Sequence, residues 1–232
     1  MTYFLRSVIL APVLFPQGAW VRRTVPKLPE APGARNGTTG SGPALRLLVT
    51  GDSAAAGVGA PHQDQALAGQ VVARLAPHYR VTWDLQATSG DKTIDTLARL
   101  ESLDASPFDV AVTSLGVNAA IAMTTRRDWR RRQARLRTLL RDKFQVSRLI
   151  ISSLPPMHKF PALPQPLRWH IGRRASEFND DLQADVSADS SACFVDLRAT
   201  ADMSMMAADG FHPGPGIYAE WAERVAAIVL DD

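Results

Sequence analysis

From residue 44 onward, short apolar runs alternate with longer amphipathic stretches, and this regularity constrains the fold more than any other feature of the chain. The runs 45–50, 81–87, 109–115, 148–154 and 193–197 have strand length. Several are apolar on both faces, as strands buried between two layers of helices are. The stretches between them, near 64–75, 93–103, 128–143 and 172–184, carry helical periodicity, and a last one runs from about 215 to 230. Strand and helix in strict alternation build parallel sheets, so the expected architecture is a three-layer α/β/α domain around a five-stranded parallel sheet. The 232 residues suit one domain of this kind better than two equal ones.

The first 43 residues do not share the pattern and are read as an N-terminal arm and linker, with the domain over 44–232. Residues 3–20 are apolar but broken by Arg6, Pro12 and Pro16, and the run is shorter than the roughly 20 apolar residues of a membrane span. A cleaved signal would need a clean apolar run and a small-residue cleavage site, where this chain continues into Trp20, Val21, Arg22 and Arg23. The segment is expected to be an arm packed on the domain or an interfacial segment with Trp20, Arg22 and Arg23 at lipid headgroups. Residues 26–42, ending in a Gly/Ser/Thr cluster, read as linker.

Composition excludes several function classes. A 46% hydrophobic and 21% charged chain is neither disordered nor a multi-span membrane protein. Twenty-six basic against 23 acidic residues leave a net charge of +3, too small a surplus to indicate a nucleic-acid partner. The arginines crowding 126–141 share their helix with an apolar stripe of Trp129, Leu136, Leu140 and Phe144. They are expected on a solvated basic face, with an anionic lipid surface as the sharper alternative. The single cysteine, Cys193, permits no internal disulfide and is expected as a buried strand residue.

Ligands of open parallel sheets bind beyond the carboxyl ends of the strands. The first strand ends in Gly51-Asp52-Ser53, which sets a serine at a strand-to-helix turn beside a free backbone N–H. Ala55, two residues on, does not fit the G-x-S-x-G elbow of α/β-hydrolases. With spatial order 2-1-3-4-5, Gly90 after the second strand and Asn118 after the third flank Ser53 and could surround a developing oxyanion. Near the C-terminus, Asp209 and His212 are spaced so that the carboxylate can turn back onto the ring nitrogen remote from the serine, fixing the tautomer of a base. Singly, each of these residues is also an ordinary turn former or surface group.

Together and in this order, the four segments resemble the SGNH/GDSL hydrolase family over about residues 45–230. The resemblance implies a flavodoxin-like α/β/α fold and cofactor-free, metal-free hydrolysis of carboxylic esters or thioesters, in a family with lysophospholipase-like and thioesterase members. It implies Ser53 as nucleophile, Asp209 and His212 as the rest of a triad, and the Ser53 amide, Gly90 and Asn118 as oxyanion hole. One departure stands out: the family's third block is usually Gly-x-Asn-Asp, whereas this chain has Gly116-Val117-Asn118-Ala119.

His62, His78, His158 and His170 have no partner at metal-ligand spacing, so no metal is expected. The proline-rich stretch 154–167 follows the fourth strand. Its Phe160, Leu163 and Leu167, with Met203, Met205 and Met206 from the long connection before Asp209, are candidate walls of a substrate pocket. The expected partner is a small-molecule ester, with peripheral membrane contact through the N-terminal segment as a further possibility. The expected location is cytoplasmic or membrane-associated. Two alternatives stand beside the esterase: an acyltransferase using the same triad, and a weakly catalytic lipid- or glycan-binding protein on the same fold.

Overall fold

The computed structural model describes residues 3–122, 124–198 and 202–231. In chain order its elements are helix α1 (Tyr3–Thr24), strand β1 (Asn36–Thr39), β2 (Ala44–Gly51), α2 (Leu67–Leu75), β3 (Arg80–Ala87), α3 (Thr93–Ser102), β4 (Val110–Ser114), α4 (Val117–Ile121), α5 (Arg126–Phe144), β5 (Arg148–Ser152), α6 (Leu167–Ser187), β6 (Ala192–Val195) and α7 (Pro215–Leu230). The spatial order is β1-β3-β2-β4-β5-β6; β2 to β6 run parallel, and β1 is antiparallel to β3.

The expected sheet is therefore present with one strand more. β1 lies within the segment read as linker, and its sequence, Asn-Gly-Thr-Thr, carries no apolar alternation that would betray a strand. Pairing makes it one: Asn36 to Thr39 run against Asp84 to Val81, and the hydroxyls of Thr38 and Thr82 lie 3.1 Å apart.

Alternate side chains of β2 enter different layers, as the two-residue pleat requires. Leu45, Leu47 and Val49 pack with α2 and α7 in a first core, while Leu48 packs with α3, α5 and α6 in a second core on the other face of the sheet. β2 sits between β3 and β4, so the loops that leave these three strands meet at one edge of the sheet. Cys193 is only half-buried, not buried as expected: among the described residues β6 is the edge strand of the sheet, paired on one side only.

The basic face of α5 is mostly paired. Arg126 and Arg130 each grip a carboxylate of α6 with two nitrogens, Asp181 and Asp185 respectively, while Arg135 meets Glu101 and Arg141 meets Asp189. Exposed pairs of this kind contribute little each, roughly 0–1 kcal/mol. Burial of Trp129, Leu136, Leu140 and Phe144 holds the helix in place.

α1 packs outside this layer, on α6. Buried Arg6 donates to Glu177 at 2.9 Å, Ser7 Oγ lies 3.3 Å from His170 Nε2, and Gln17 bonds the Gln165 carbonyl and the Leu167 N–H at 2.5 and 3.0 Å. Leu14 and Val21 face inward against the second core.

Candidate active site

Ser53 owes its position to the end of β2. A Cβ on Gly51 would stand 2.2 Å from the Ser114 carbonyl oxygen, so only glycine lets the two chains approach this closely. The Asp52 N–H donates to that same oxygen at 3.0 Å. Beyond Ser53 the chain runs through successive turns before α2, and the Val58 N–H returns to the Ser53 carbonyl at 3.0 Å.

The segment bearing Asp209 and His212 closes on itself before α7. Met206 pairs with Pro213 in an isolated antiparallel bridge, the Ala207 N–H reaches the His212 carbonyl at 2.9 Å, and Gly210 makes the turn at φ +62°. This brings His212 Nε2 to 3.0 Å from Ser53 Oγ and His212 Nδ1 to 2.5 Å from Asp209 Oδ2. Asp209 Oδ1 also accepts the Phe211 and His212 N–H groups at 2.9 and 3.0 Å. Burial alone would raise the Asp209 pKa; the bonds from the His212 ring and the two N–H groups outweigh it and hold the carboxylate below its ordinary value. An ionised acid thus faces Nδ1 and leaves Nε2 as the nitrogen that can accept a proton from the serine.

The two flanking loops meet beside the serine turn. Asn118 Nδ2 donates to the Asp91 carbonyl at 2.9 Å and lies 3.5 Å from Asp52 Oδ2, which joins the loops after β2, β3 and β4. Gly90 has φ +88°, and a Cβ there would meet nothing within 4 Å, so the requirement for glycine is conformational rather than steric. Among the described residues, neither the Ser53 N–H nor the Gly90 N–H donates to a protein acceptor. Ala119, where the resembled family has aspartate, is buried in the second core on α4.

Two features behind the site were not singled out from the sequence. Asp52 is 2% exposed; burial pushes its carboxyl up to about 7, against the lowering effects of the Ala54 N–H and the His212 charge. The loop carrying Gly90 hangs on the segment that precedes β1. Glu30 accepts the Ser89 N–H at 2.7 Å, Arg35 holds Glu30 at 2.9 Å, and Arg35 also donates to the Ala87 carbonyl.

Ser53 and His212 open onto a cavity whose walls include Leu115, Leu154, Phe160, Met206, Phe211 and Trp221. Phe160 lines it as expected, as do Met203 and Met206. Leu163, Leu167 and Met205 do not, and this corrects the reading of the pocket. Leu163 and Leu167 are buried in the second core, where they anchor the proline-rich stretch, while Met205 packs against Gly216 and its carbonyl accepts the Gly214 N–H. Phe211, inside the Asp-x-x-His motif, supplies a wall in their place, edge-on to Phe160 at 5.2 Å. Among the described residues, no group of three or more His, Cys, Asp or Glu side chains is placed to hold a metal ion.

The sequence model of the GDSL-like Lipase/Acylhydrolase family matches residues 49–220, which takes in the relay and the Gly90 and Asn118 loops but not Glu30 and Arg35. No curated protein matches the chain. Among solved structures, TesA superposes with a TM-score of 0.62 at 25% identity, over 80% of this chain and 98% of its own. The acetylxylan esterase Axe2 from Geobacillus stearothermophilus gives 0.56 at 17% identity, over 82% of this chain and 94% of its own. An extracellular lipase from Streptomyces rimosus gives 0.59 at 17%, over 79% and 99%. At such identities the last two speak for the fold alone.

Proposed function

We propose, from the premise that this chain belongs to the GDSL-like lipase/acylhydrolase family and is a carboxylic ester hydrolase, that it cleaves esters of apolar acyl chains through an acyl-enzyme on Ser53. The observation that carries this reading is the unbroken relay from Asp209 through His212 to Ser53 at the mouth of an apolar cavity. In the first half-reaction Ser53 Oγ attacks the ester carbonyl while His212 Nε2 takes the hydroxyl proton, and Asp209 stabilises the imidazolium so formed. The oxyanion is met by the Ser53 and Gly90 N–H groups and by Asn118 Nδ2, which keeps one hydrogen on the Asp91 carbonyl and turns the other from its long 3.5 Å contact with Asp52 Oδ2 to the substrate oxygen. Collapse expels the alcohol, which takes the proton from His212. Water, deprotonated by the same histidine, then attacks the acyl-serine, and Ser53 recovers its proton as the acid leaves.

The aromatic and aliphatic cavity walls favour an apolar acyl group over a sugar-borne acetate, and a lysophospholipid or a thioester fits the same chemistry. Ala119 does not argue for a mere binding protein, because the Asn118 amide is held by the Asp91 carbonyl and the Asp52 carboxyl and needs no acid at position 119. The test is a panel of p-nitrophenyl esters from acetate to dodecanoate, run on the wild type and Ser53→Ala, with fluorophosphonate labelling located by mass spectrometry. We expect turnover that rises beyond acetate, loss of nearly all activity in the variant, and label on Ser53. Label on another serine, or full activity in Ser53→Ala, would refute it.

A further inference from the structure

The outer face of α1 is an apolar surface with basic flanks. Leu5, Ile9, Val13 and Trp20 recur at helical spacing, Val8 and Phe15 widen the stripe, and all six are 45–70% exposed. The opposite face is already used: Arg6, Leu14 and Val21 seat the helix on the domain. A helix apolar on both faces normally has both covered. No described helix is long and apolar enough to cross a membrane, and α1 is tied to the domain along its length by Glu177, His170 and Gln165, so it can lie on a surface but not span one.

Its charges identify that surface. Residues 1–29 contain no aspartate or glutamate, Arg22 and Arg23 end the helix exposed beside Trp20, and Lys27 follows, also exposed. A second copy seated two-fold on this face would press these cations against a helix that has no acid to pair with them. An anionic lipid leaflet offers both what the stripe and what the arginines require: acyl chains for the apolar side chains and phosphates for the guanidinium groups. Trp20 stands between the two, where an indole is best placed.

We propose that α1 docks the enzyme onto anionic lipid surfaces, with Leu5, Ile9, Phe15 and Trp20 inserted at the headgroup boundary and Arg22, Arg23 and Lys27 on the phosphates. The docked face is tied to the rim of the site, because Gln17 of α1 holds residues 165 and 167 at the end of the loop that supplies Phe160 to the cavity wall. The proposal does not rest on the acyl-enzyme reading, since docking needs neither Ser53 nor His212.

The full chain is sedimented with vesicles of phosphatidylcholine alone and with vesicles containing about 30 mol% phosphatidylglycerol. We expect binding to the second that weakens with salt, little binding to the first, and at least about tenfold weaker binding for Ile9→Gln/Phe15→Gln/Trp20→Gln. That variant alters exposed side chains only, so its hydrolysis of a soluble short-chain ester should equal that of the wild type. This control separates lost docking from lost folding, and an esterase that fails while docking persists would count against the catalytic reading alone. Absence of vesicle binding by the wild type, equal binding to both compositions, or undiminished binding by the triple variant would each overturn the proposal. So would a wild-type dimer that the triple variant dissociates, for then a second copy covers the face.

Discussion

Replacing Asp52 by asparagine should change how stability depends on pH, and the size of the change follows from where the side chain sits. Asp52 is fully enclosed behind Ser53, with the Ala54 N–H donating to Oδ1 at 3.2 Å, and its carboxyl is pushed up to about 7 from an ordinary 3.8. Between those two values the folded chain holds a proton that the unfolded chain has released, so stability falls as pH rises through this window and is flat above about 7. A shift of about 3 units corresponds to about 4 kcal/mol in full, of which about 2–3 kcal/mol accrues between pH 5 and pH 8. Asparagine keeps the shape and the acceptor for the Ala54 N–H but cannot ionise. The difference in unfolding free energy, variant minus wild type, should therefore move in the variant's favour by about 2–3 kcal/mol from pH 5 to pH 8. Urea unfolding of both proteins at the two pH values measures this directly, because every other titrating group is common to both. A difference that is constant with pH, or that moves against the variant as pH rises, would show that burial does not control Asp52.

Three further outcomes follow from the geometry. Asn118→Ala should lower kcat on the order of 10²–10³ with little change in KM, as an oxyanion donor does, and kinetics on a short ester will show whether the fall is in kcat. Glu30→Gln should leave the melting temperature nearly unchanged while lowering kcat by roughly threefold to tenfold, since it weakens the hold on the Ser89–Gly90 loop without touching substrate. Phe160→Ala should shift the acyl-length profile toward longer chains by opening the cavity wall, and should cost about 3–5 kcal/mol of stability in a chemical denaturation experiment.

The relay was legible because its parts are short-range or lie at strand ends. Asp209 and His212 are three residues apart, and a serine that follows Gly-Asp after an apolar run can only leave the sheet at its carboxyl edge. Period-two and period-3.6 patterns likewise give most of the α/β/α architecture. What escaped is decided by pairing and by side-chain direction. β1 is a strand only because β3 lies beside it, and Glu30 reaches Ser89 across 59 positions of sequence. Leu163 and Phe160 read alike as apolar loop residues, yet one turns into the core and the other into the cavity. Asp52 was visible in its motif, but its raised carboxyl is a property of the walls around it.

The Glu30 and Arg35 contacts give the chain two different lengths. The stretch recognisable by descent starts at residue 49, in the middle of β2, whereas the stretch that holds all three loops of the site begins no later than Glu30. A chain shortened to residue 44 would keep every residue of the relay and its central sheet, but would release one anchor of the Gly90 loop and leave the outer edge of β3 unpaired. Homology would mark such a fragment as whole. Its turnover would identify it as a part.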